Sequence, residues 1–396
     1  MVYRKYLLAF LCCAVWLSAR AQQINFVEAD SVSLAQYQSA AWQELVNYGQ
    51  KVIASGTDFP QLRLRVAYAE FELQNYSAAL QQYHVVLADD SHNSTARYYS
   101  YLCNIYLNRN ASAYYHVSYL GKATLEEEKL TPYGLLQAGF ETSIKVPIIK
   151  LRGNGVYSRV NLANRLGWRF QLDQSVAYFG QSINYRFPAY LPYPLQQVRS
   201  NSVHQAEYFG KLGYTMSNKL AVWGAYHYLN TKYERTTYHS HIALLGLKYS
   251  HPYFDLQADV SSGTITNNNV RQYNTQLNLY PLGNLTLYSI TRGSVLHQIN
   301  NTNGVFSQLF GFKLTPKLWM ETNAVLGSQN NYLEADGLYL YNALDIIKFR
   351  AGATGFWQLT RHALLYLNYT HERKDDYYHA TNYNQHSITG GFTWKF

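Results

Sequence analysis

Residues 388–396, ITGGFTWKF, alternate between apolar and polar side chains along their length. The even-numbered positions include Ile388, Phe392, Trp394 and Phe396, whereas most odd-numbered positions hold threonine or lysine. A period of two predicts a β-strand with one apolar face and one polar face. Because the apolar face carries three aromatic rings, this strand requires an apolar environment on one side.

The same alternation recurs between residues 133 and 396, most clearly over 160–172, 254–261, 306–314 and 347–358. A β-sandwich also has two-faced strands, but here the apolar faces are long and aromatic and the polar faces carry charges in mid-strand. Short turns alternate with longer polar segments at 187–201, 234–238, 266–270, 297–303, 327–346 and 373–385. This is the plan of an outer-membrane barrel. The sequence therefore predicts an antiparallel transmembrane β-barrel of 14 strands, with 12 as the alternative.

Composition separates two parts of the chain. The 396 residues include 39 Tyr and only 14% charged residues, and the mean hydropathy is −0.28. After Gln22 no run of 18 apolar residues occurs, so membrane insertion must use strands rather than helices. Residues 22–132 contain 7 Lys+Arg and 11 Asp+Glu, whereas residues 133–396 contain 23 and 13. An acidic part therefore precedes a basic one.

Residues 1–21 have the features of a secretory signal peptide. Arg4 and Lys5 precede a short apolar run, and Ala19-Arg20-Ala21 supplies a small-residue cleavage pattern. Cleavage is expected between Ala21 and Gln22. Cys103 is then the remaining cysteine, so the mature chain is expected to contain no internal disulfide.

Residues 35–130 are predicted to form a short helical repeat, preceded by a segment at 22–34. Apolar positions recur with a period of about 34 residues, as at Leu45, Ala79 and Ala113. The segment QNYSAALQQYHVVLADD (74–90) resembles the second helix of a tetratricopeptide repeat. This resemblance implies a periplasmic scaffold that binds a protein partner, although a purely packing role is also open. Residues 131–396 follow as the barrel, so the expected fold class is α + β multidomain.

The inward parity of the predicted strands defines a set of candidate lumen residues. They are Arg159, Arg165, Arg169, Arg186, Lys211, Lys313, Lys348, Arg350, Glu207, Asp255, Asp259, Glu321 and Glu372. A network of structural ion pairs is the default interpretation of such a wall. The excess of cations would also favour anionic solutes or an acidic glycan. Tyr178, Tyr190 and Tyr193 are candidates for stacking on sugar rings, or for an interfacial girdle and a loop over the pore.

No residue pattern predicts catalysis, a cofactor or a metal. His239 and His241 share one face of a strand, but only Asp255, across a hairpin, could supplement them as a ligand. His386-Ser387 lies in no recognisable nucleophile setting. Phosphate loops and dinucleotide fingerprints are lacking, and basic residues alternating with apolar ones argue against nucleic-acid binding.

The whole plan resembles the YaiO-like outer-membrane proteins, in which tetratricopeptide-like helices precede a barrel. Asn342-Ala343-Leu344-Asp345, followed by Lys348 and Arg350, also resembles theirs. Phe392, Trp394 and Phe396 are similar to the assembly signal that the barrel-assembly machinery recognises. A looser similarity is to larger exporters of exopolysaccharide that join such repeats to a barrel.

These observations lead to one hypothesis and two alternatives. The hypothesis is a barrel in contact with outer-membrane lipid that assists export or assembly of an envelope exopolysaccharide. The first alternative is a passive solute porin or a structural barrel. The second alternative is a barrel-embedded enzyme that acts on lipid or glycan.

Overall fold

The computed structural model describes residues 24–186, 198–299, 301–377 and 381–396. These residues form two compact units that divide between Cys103 and Asn104. The predicted signal peptide and its cleavage position at Ala21 and Gln22 lie outside the described residues.

Seven helices occur in the described part of the chain before the first strand. They are α1 (Phe26–Gln38), α2 (Trp42–Ala54), α3 (Pro60–Glu72), α4 (Tyr76–Asp89), α5 (Ser94–Tyr106), α6 (Asn110–Val117) and α7 (Lys122–Glu127). The starts of α1, α3 and α5 are evenly spaced along the chain, and the starts of α2, α4 and α6 have the same spacing. The sequence period therefore corresponds to a pair of helices. None of the described helices has the length and apolar character required to cross a membrane.

The turn between the two helices of each pair also repeats. Ala40, Gln74 and Asn108 recur at the same interval as the helix starts and have φ angles of 55°, 63° and 55°. After α3, the amide of Asn75 donates to the carbonyl oxygen of Glu70 at 2.8 Å. This is the long hydrogen bond of a Schellman motif, in which the residue after the helix cap is left-handed. Glycine is the residue best suited to that conformation, yet none of the three positions has it.

We expect Ala40→Gly to raise the free energy of unfolding of the helical unit by about 1 kcal/mol, because it removes the Cβ clash of a left-handed residue. Ala40 is exposed, so only a methyl group is lost. The matched control is Ala35→Gly inside α1, where the same change is expected to cost about 1 kcal/mol. Urea unfolding of the full chain in detergent, followed by helical circular dichroism, measures both. Destabilisation by both variants would contradict the argument.

Sixteen strands follow in the described residues. They are β1 (Tyr133–Pro147), β2 (Arg152–Leu166), β3 (Phe170–Arg186), β4 (Val198–Thr215), β5 (Leu220–Tyr233), β6 (Thr236–His251), β7 (Phe254–Ile265), β8 (Asn268–Leu279), β9 (Leu287–Gln298), β10 (Asn301–Thr315), β11 (Leu318–Gly327), β12 (Tyr332–Glu334), β13 (Tyr339–Tyr341), β14 (Ile346–Gln358), β15 (Ala363–Asp375) and β16 (Asn382–Lys395). Fourteen of them form a closed barrel, and β12 and β13 form a separate small hairpin. The predicted antiparallel barrel of 14 strands is confirmed.

Strands β1 and β16 close the barrel. Their antiparallel register places Phe140 opposite Phe392 and Ala138 opposite Trp394. The amide of Phe396 donates to the carbonyl oxygen of Leu136 at 3.1 Å. Closure leaves no free edge on either strand.

The two ends of the barrel are named here by the strands that close it. We call the end where β1 begins and β16 finishes the proximal end, and the opposite end the distal end. The predicted long distal segments at 234–238 and 266–270 are instead tight turns, since β5 and β6 are separated by residues 234–235 and β7 and β8 by residues 266–267. Thr266 and Asn267 both have positive φ angles, 46° and 67°, as a type I′ turn requires. The sequence loses its alternation there because strands that extend past the lipid meet water on both faces.

The outer face of the barrel is apolar up to a band of tyrosine and histidine. Exposed outward residues such as Val160, Leu245, Phe310 and Leu367 cover the proximal and middle parts of the strands. Towards the distal ends, tyrosine hydroxyls bond histidine Nδ1 atoms across strands at 2.6–2.8 Å, in the pairs Tyr178–His204, Tyr226–His241, Tyr228–His239 and Tyr369–His386. An apolar belt with an aromatic girdle is the lipid-facing surface of an outer-membrane barrel.

Candidate functional site

A hairpin enters the bore of the barrel between β11 and β14. It comprises residues 328–345 and is called the inserted hairpin below. The Tyr339 hydroxyl donates to Glu141 of β1 at 3.1 Å, and Leu333 bonds Gln272 of β8. Strands β1 and β8 are seven positions apart in the ring of 14. The inserted hairpin therefore crosses the bore from one wall to the opposite wall.

Amide side chains of the wall hold the backbone of the inserted hairpin. Gln272 donates to the carbonyl oxygen of Leu333 at 2.7 Å and accepts from its amide at 3.0 Å, so it takes the place of a neighbouring strand. Gln205 donates to the carbonyl oxygen of Asn342 at 3.0 Å. Both glutamines point inward and are buried. These bonds satisfy backbone groups that would otherwise be stranded inside the bore.

Charged groups hold the turn of the inserted hairpin. Asp336 accepts from Gln257 at 2.6 Å and forms an ion pair with Lys211 at 3.2 Å. Arg159 donates to the carbonyl oxygen of Leu338 at 2.8 Å. Because the partners lie on β2, β4 and β7, the turn is tied to several strands at once.

The carboxylate of Asp345 anchors the distal end of the inserted hairpin. Arg152 donates to both of its oxygens, at 2.7 and 2.9 Å, and the Tyr383 hydroxyl donates at 2.7 Å. The Tyr377 amide adds a bond of 3.0 Å. Burial acts to raise the pKa of Asp345, but these hydrogen bonds outweigh it and lower the pKa below its usual value. The sequence singled out Asp345 as part of a motif but gave no indication of Arg152.

A small apolar core forms where the inserted hairpin meets the wall. Leu333 and Leu340 pack against inward-facing residues of β5 to β9, namely Trp223, Ile242, Leu244, Ile265, Val270 and Leu296. The Trp223 ring lies over Gly246, where an added Cβ would come within 2.2 Å of it. The lumen is therefore partly apolar. Strand parity alone predicted a polar lumen, because it does not show what else occupies the bore.

A cavity lies beside the inserted hairpin. This lateral cavity measures about 410 Å³ and is bounded mainly by β1, β2, β11 and β14 to β16. Its tyrosines are Tyr157, Tyr339, Tyr341 and Tyr366. Its ionisable lining consists of five carboxylates and three cations, Glu141, Glu207, Glu321, Glu334, Glu372, Lys145, Arg350 and Lys374. The surface is therefore polar and of mixed charge.

A second cavity of about 380 Å³ lies at the proximal end, between residues 108–114 and the strands. This proximal cavity is basic, with five cations and two carboxylates, Arg109, Arg165, Arg169, Lys211, Lys248, Asp173 and Asp336. The Arg165 guanidinium lies 3.7 Å from the centroid of the Tyr114 ring and 5.7 Å from that of Trp168. Such cation–π contacts hold the guanidinium in place without neutralising its charge.

Arg109 ties residues 108–114 to the barrel. It lies just before α6 and forms an ion pair with Asp255 of β7 at 3.1 Å. It also donates to the carbonyl oxygen of His251 at 2.9 Å. The Arg109 and Asp255 side chains are 4% and 1% exposed, respectively. The sequence did not point to Arg109, because its partner lies far away along the chain.

Most of the lumen candidates do face the bore. Inward positions hold Arg159, Arg165, Lys211, Lys313, Arg350, Glu207, Asp255, Asp259, Glu321 and Glu372. Arg169 lies in the proximal turn after β2, with its guanidinium 5.0 Å from the Tyr115 ring. Arg186 ends β3, and its side chain is outside the described part of the chain. Tyr190 and Tyr193 are likewise outside it.

Two candidates do not face the lumen. Lys348 is 43% exposed and lies 3.6 Å from the exposed Asp375. The prediction failed because a β-bulge at Lys348 shifts the register between Ile347 and Phe349, so that Ile347 and Arg350 point inward while Lys348 does not. Tyr178 is outward and 47% exposed, because the inward positions of β3 are the odd-numbered ones.

The two histidines weighed as metal ligands lie on the outer face. His239 and His241 bond Tyr228 and Tyr226 there, whereas Asp255 is buried in the bore. Within the described residues, no three or more His, Cys, Asp or Glu side chains are grouped to hold a metal ion.

No protein-family model matches the chain, and no curated protein matches it. Among solved structures, the P. putida toluene transporter TodX has a TM-score of 0.47 and 10% identity, covering 69% of this chain and 92% of that chain. The Ralstonia pickettii toluene transporter TbuX has a TM-score of 0.46 and 9% identity, covering 70% and 94%. The Acinetobacter baumannii outer membrane protein Omp33 has a TM-score of 0.40 and 9% identity, covering 66% and 99%. By its own closed barrel and apolar outer belt, the chain is an outer-membrane β-barrel protein.

Proposed function

We propose that this protein is a gated conduit of the outer membrane that assists export or assembly of an envelope glycan. The observation that carries the proposal is the inserted hairpin, which crosses the bore and is held largely by polar contacts such as Gln272 with Leu333 and Lys211 with Asp336. A hydrogen bond exchanged for water costs only about 1 kcal/mol net. Water or a polar ligand can therefore replace these contacts when the hairpin moves.

The proposal assigns the proximal end to the periplasm. Short turns of outer-membrane barrels face the periplasm. The proximal connections are at most seven residues long, whereas the distal ones include residues 328–345. In the sequence the helical unit precedes β1. The helix pairs repeat at a constant interval, in keeping with the resemblance to tetratricopeptide repeats and to the YaiO-like proteins. In this proposal the helical unit binds a periplasmic partner protein, and the glycan meets the barrel first at the proximal cavity.

The chemistry of the proximal cavity favours an acidic chain. The lining has five cations and two carboxylates, and Asp255 behind it pairs with Arg109 and Lys248, so the net charge is still positive. The rings of Tyr114 and Trp168 give apolar surface beside the Arg165 charge. Carboxylate or phosphate groups of a glycan would pair with the guanidinium groups. The apolar C–H faces of its sugar rings would pack on the aromatic rings.

We expect Arg165→Ala with Arg169→Ala to weaken binding of an acidic oligosaccharide about tenfold, which corresponds to the loss of about 1.4 kcal/mol. Oligogalacturonate is the probe, titrated calorimetrically into the full chain in detergent at low and high salt. The control, Lys317→Ala with Arg361→Ala, removes the same charge from exposed proximal turns. Equal losses in both double variants, or no binding by the unaltered chain at low salt, would contradict an acidic ligand in this cavity.

A further inference from the structure

We infer that the lateral cavity is a binding site for an uncharged, hydroxyl-rich sugar unit. This inference rests on the proposed conduit function and names the ligand of the lateral cavity. The ligand expected here differs from the acidic ligand of the proximal cavity. Carboxylates outnumber cations in the lining of the lateral cavity, whereas cations outnumber carboxylates in the lining of the proximal cavity.

The strand register builds a continuous polar row on the cavity wall. One inward residue from each of six adjacent strands lies directly opposite the next, in the order Tyr157, Ser143, Thr389, Asn368, Thr354 and Glu321. All six line the lateral cavity. Adjacent members are about 4.8 Å apart, the spacing of hydrogen-bonded strands. The row therefore presents hydroxyl, amide and carboxylate groups at regular intervals, as a ligand with many hydroxyl groups requires.

Tyr366 supplies a flat aromatic surface beside this row. Its ring lies against Gly391, where an added Cβ would be only 2.1 Å from the ring. Its hydroxyl donates to Glu141 at 2.6 Å, which fixes the orientation of the ring. One face of the ring is therefore packed on the wall, and the residue lines the cavity. The apolar C–H face of a sugar ring can be buried on such a surface.

Three residues of the cavity lining each have a buried polar atom without a hydrogen-bond partner in the described part of the chain. The Tyr157 hydroxyl, the Ser387 hydroxyl and Nε of Arg350 form no hydrogen bond within the described part of the chain. Ser387 is only 3% exposed. A buried polar group without a partner costs about 1–3 kcal/mol. Each of these atoms is almost fully covered, so its side chain must rotate slightly before a sugar hydroxyl, which both donates and accepts, can bond it.

Most charged groups of the cavity already lie beside a group of opposite charge, which favours an uncharged ligand. Glu334 lies 2.6 Å from Arg350, and Glu372 lies 3.4 Å from Lys374. Glu141 and Glu207 lie 3.6 and 3.7 Å from Arg159. A charged ligand would have to compete with these pairs, and a charge left unpaired inside the protein is costly. An uncharged sugar bonds the hydroxyl and amide groups of the polar row and leaves the ion pairs intact.

The test is binding of maltotetraose, an uncharged oligosaccharide, to the full chain in detergent by saturation-transfer NMR and calorimetry. Tyr366→Ala is expected to weaken binding about tenfold and Ser387→Ala about threefold, whereas Tyr366→Phe, which keeps the ring, is expected to stay within about threefold. The matched control is Tyr369→Ala, which removes an outward tyrosine from the same strand and is expected to change nothing. Gly391→Val leaves residue 366 a tyrosine but pushes its ring away from the wall. Its effect is expected to match that of Tyr366→Ala.

Three results would overturn the inference. They are no binding of maltotetraose by the unaltered chain, unchanged binding in both Tyr366→Ala and Ser387→Ala, or loss of binding in Arg165→Ala with Arg169→Ala but not in Tyr366→Ala. Heat-modifiable migration on gels checks that each variant keeps a folded barrel, and Tyr366→Ala decides if Gly391→Val does not fold. Failure of the conduit would be seen separately, as a lack of conductance with maltotetraose binding intact.

Discussion

Replacement of residues 330–344 by Gly-Ser-Gly is expected to raise single-channel conductance about tenfold, because it removes the segment that crosses a bore of 14 strands. The strands that flank the deletion are unchanged, since β11 ends at Gly327 and β14 begins at Ile346. Recordings in planar bilayers compare the shortened variant with the full chain. The full chain is expected to show a low conductance with brief openings.

Point variants provide a graded version of this experiment. Gln272→Leu removes the two hydrogen bonds to Leu333. The amide and the carbonyl oxygen of Leu333 then lack partners, at a cost of about 1–3 kcal/mol each. Lys211→Met removes the ion pair with Asp336. Each variant is expected to open more often than the unaltered chain and less than the shortened one. Asp375→Asn is the control, because it breaks the exposed pair with Lys348 and touches nothing in the bore.

A shortened barrel that folds yet does not conduct would contradict the gate. Heat-modifiable migration on gels establishes folding independently of conductance. That result would favour the structural barrel over the conduit. If the shortened variant and Gln272→Leu conduct equally, one contact dominates and the inserted hairpin does not act as a unit.

The barrel was predictable from the sequence because lipid on one side and water on the other impose a period of two on every strand. Fourteen strands and most of the inward charges follow from that parity, as at Arg159 and Asp259. The alternation of inward and outward positions gives a wrong prediction where a β-bulge shifts the strand register. The bulge at Lys348 moves that residue out of the bore and brings Ile347 in.

The contents of the bore were not predictable in the same way. The inserted hairpin lies in a polar segment whose sequence resembles any distal loop, and its contacts join residues far apart in the chain, as Arg152 with Asp345 and Arg109 with Asp255 do. A local sequence pattern does not predict ion pairs between residues that are far apart in the chain. Glycines under aromatic rings gave a weak signal, since Gly391 and Gly246 interrupt strands where a side chain would otherwise be expected.

Substitution of Phe392, Trp394 and Phe396 by alanine is expected to reduce barrel insertion into the outer membrane about tenfold, as expected for a loss of at least about 1.4 kcal/mol of apolar contact. All three side chains are exposed on the outer face, with 38%, 41% and 64% of their surface accessible. They lie along the seam where β16 meets β1, the two strands whose pairing closes the barrel. We propose that the assembly machinery binds this stripe before closure. Density-gradient fractionation and heat-modifiable migration measure the inserted fraction.

The control for this experiment is a triple alanine variant on the neighbouring strand β15. Leu365, Leu367 and Tyr369 face outward from β15, which pairs directly with β16, so their replacement by alanine removes comparable apolar area away from the seam. If lipid contact alone drives insertion, both triple variants lose insertion to the same extent. If the stripe on β16 is recognised during assembly, only the first triple variant is impaired, and Phe396→Tyr, which keeps an aromatic ring, inserts normally. Equal loss in both triple variants would therefore remove the recognition role and leave these residues as ordinary lipid-facing surface.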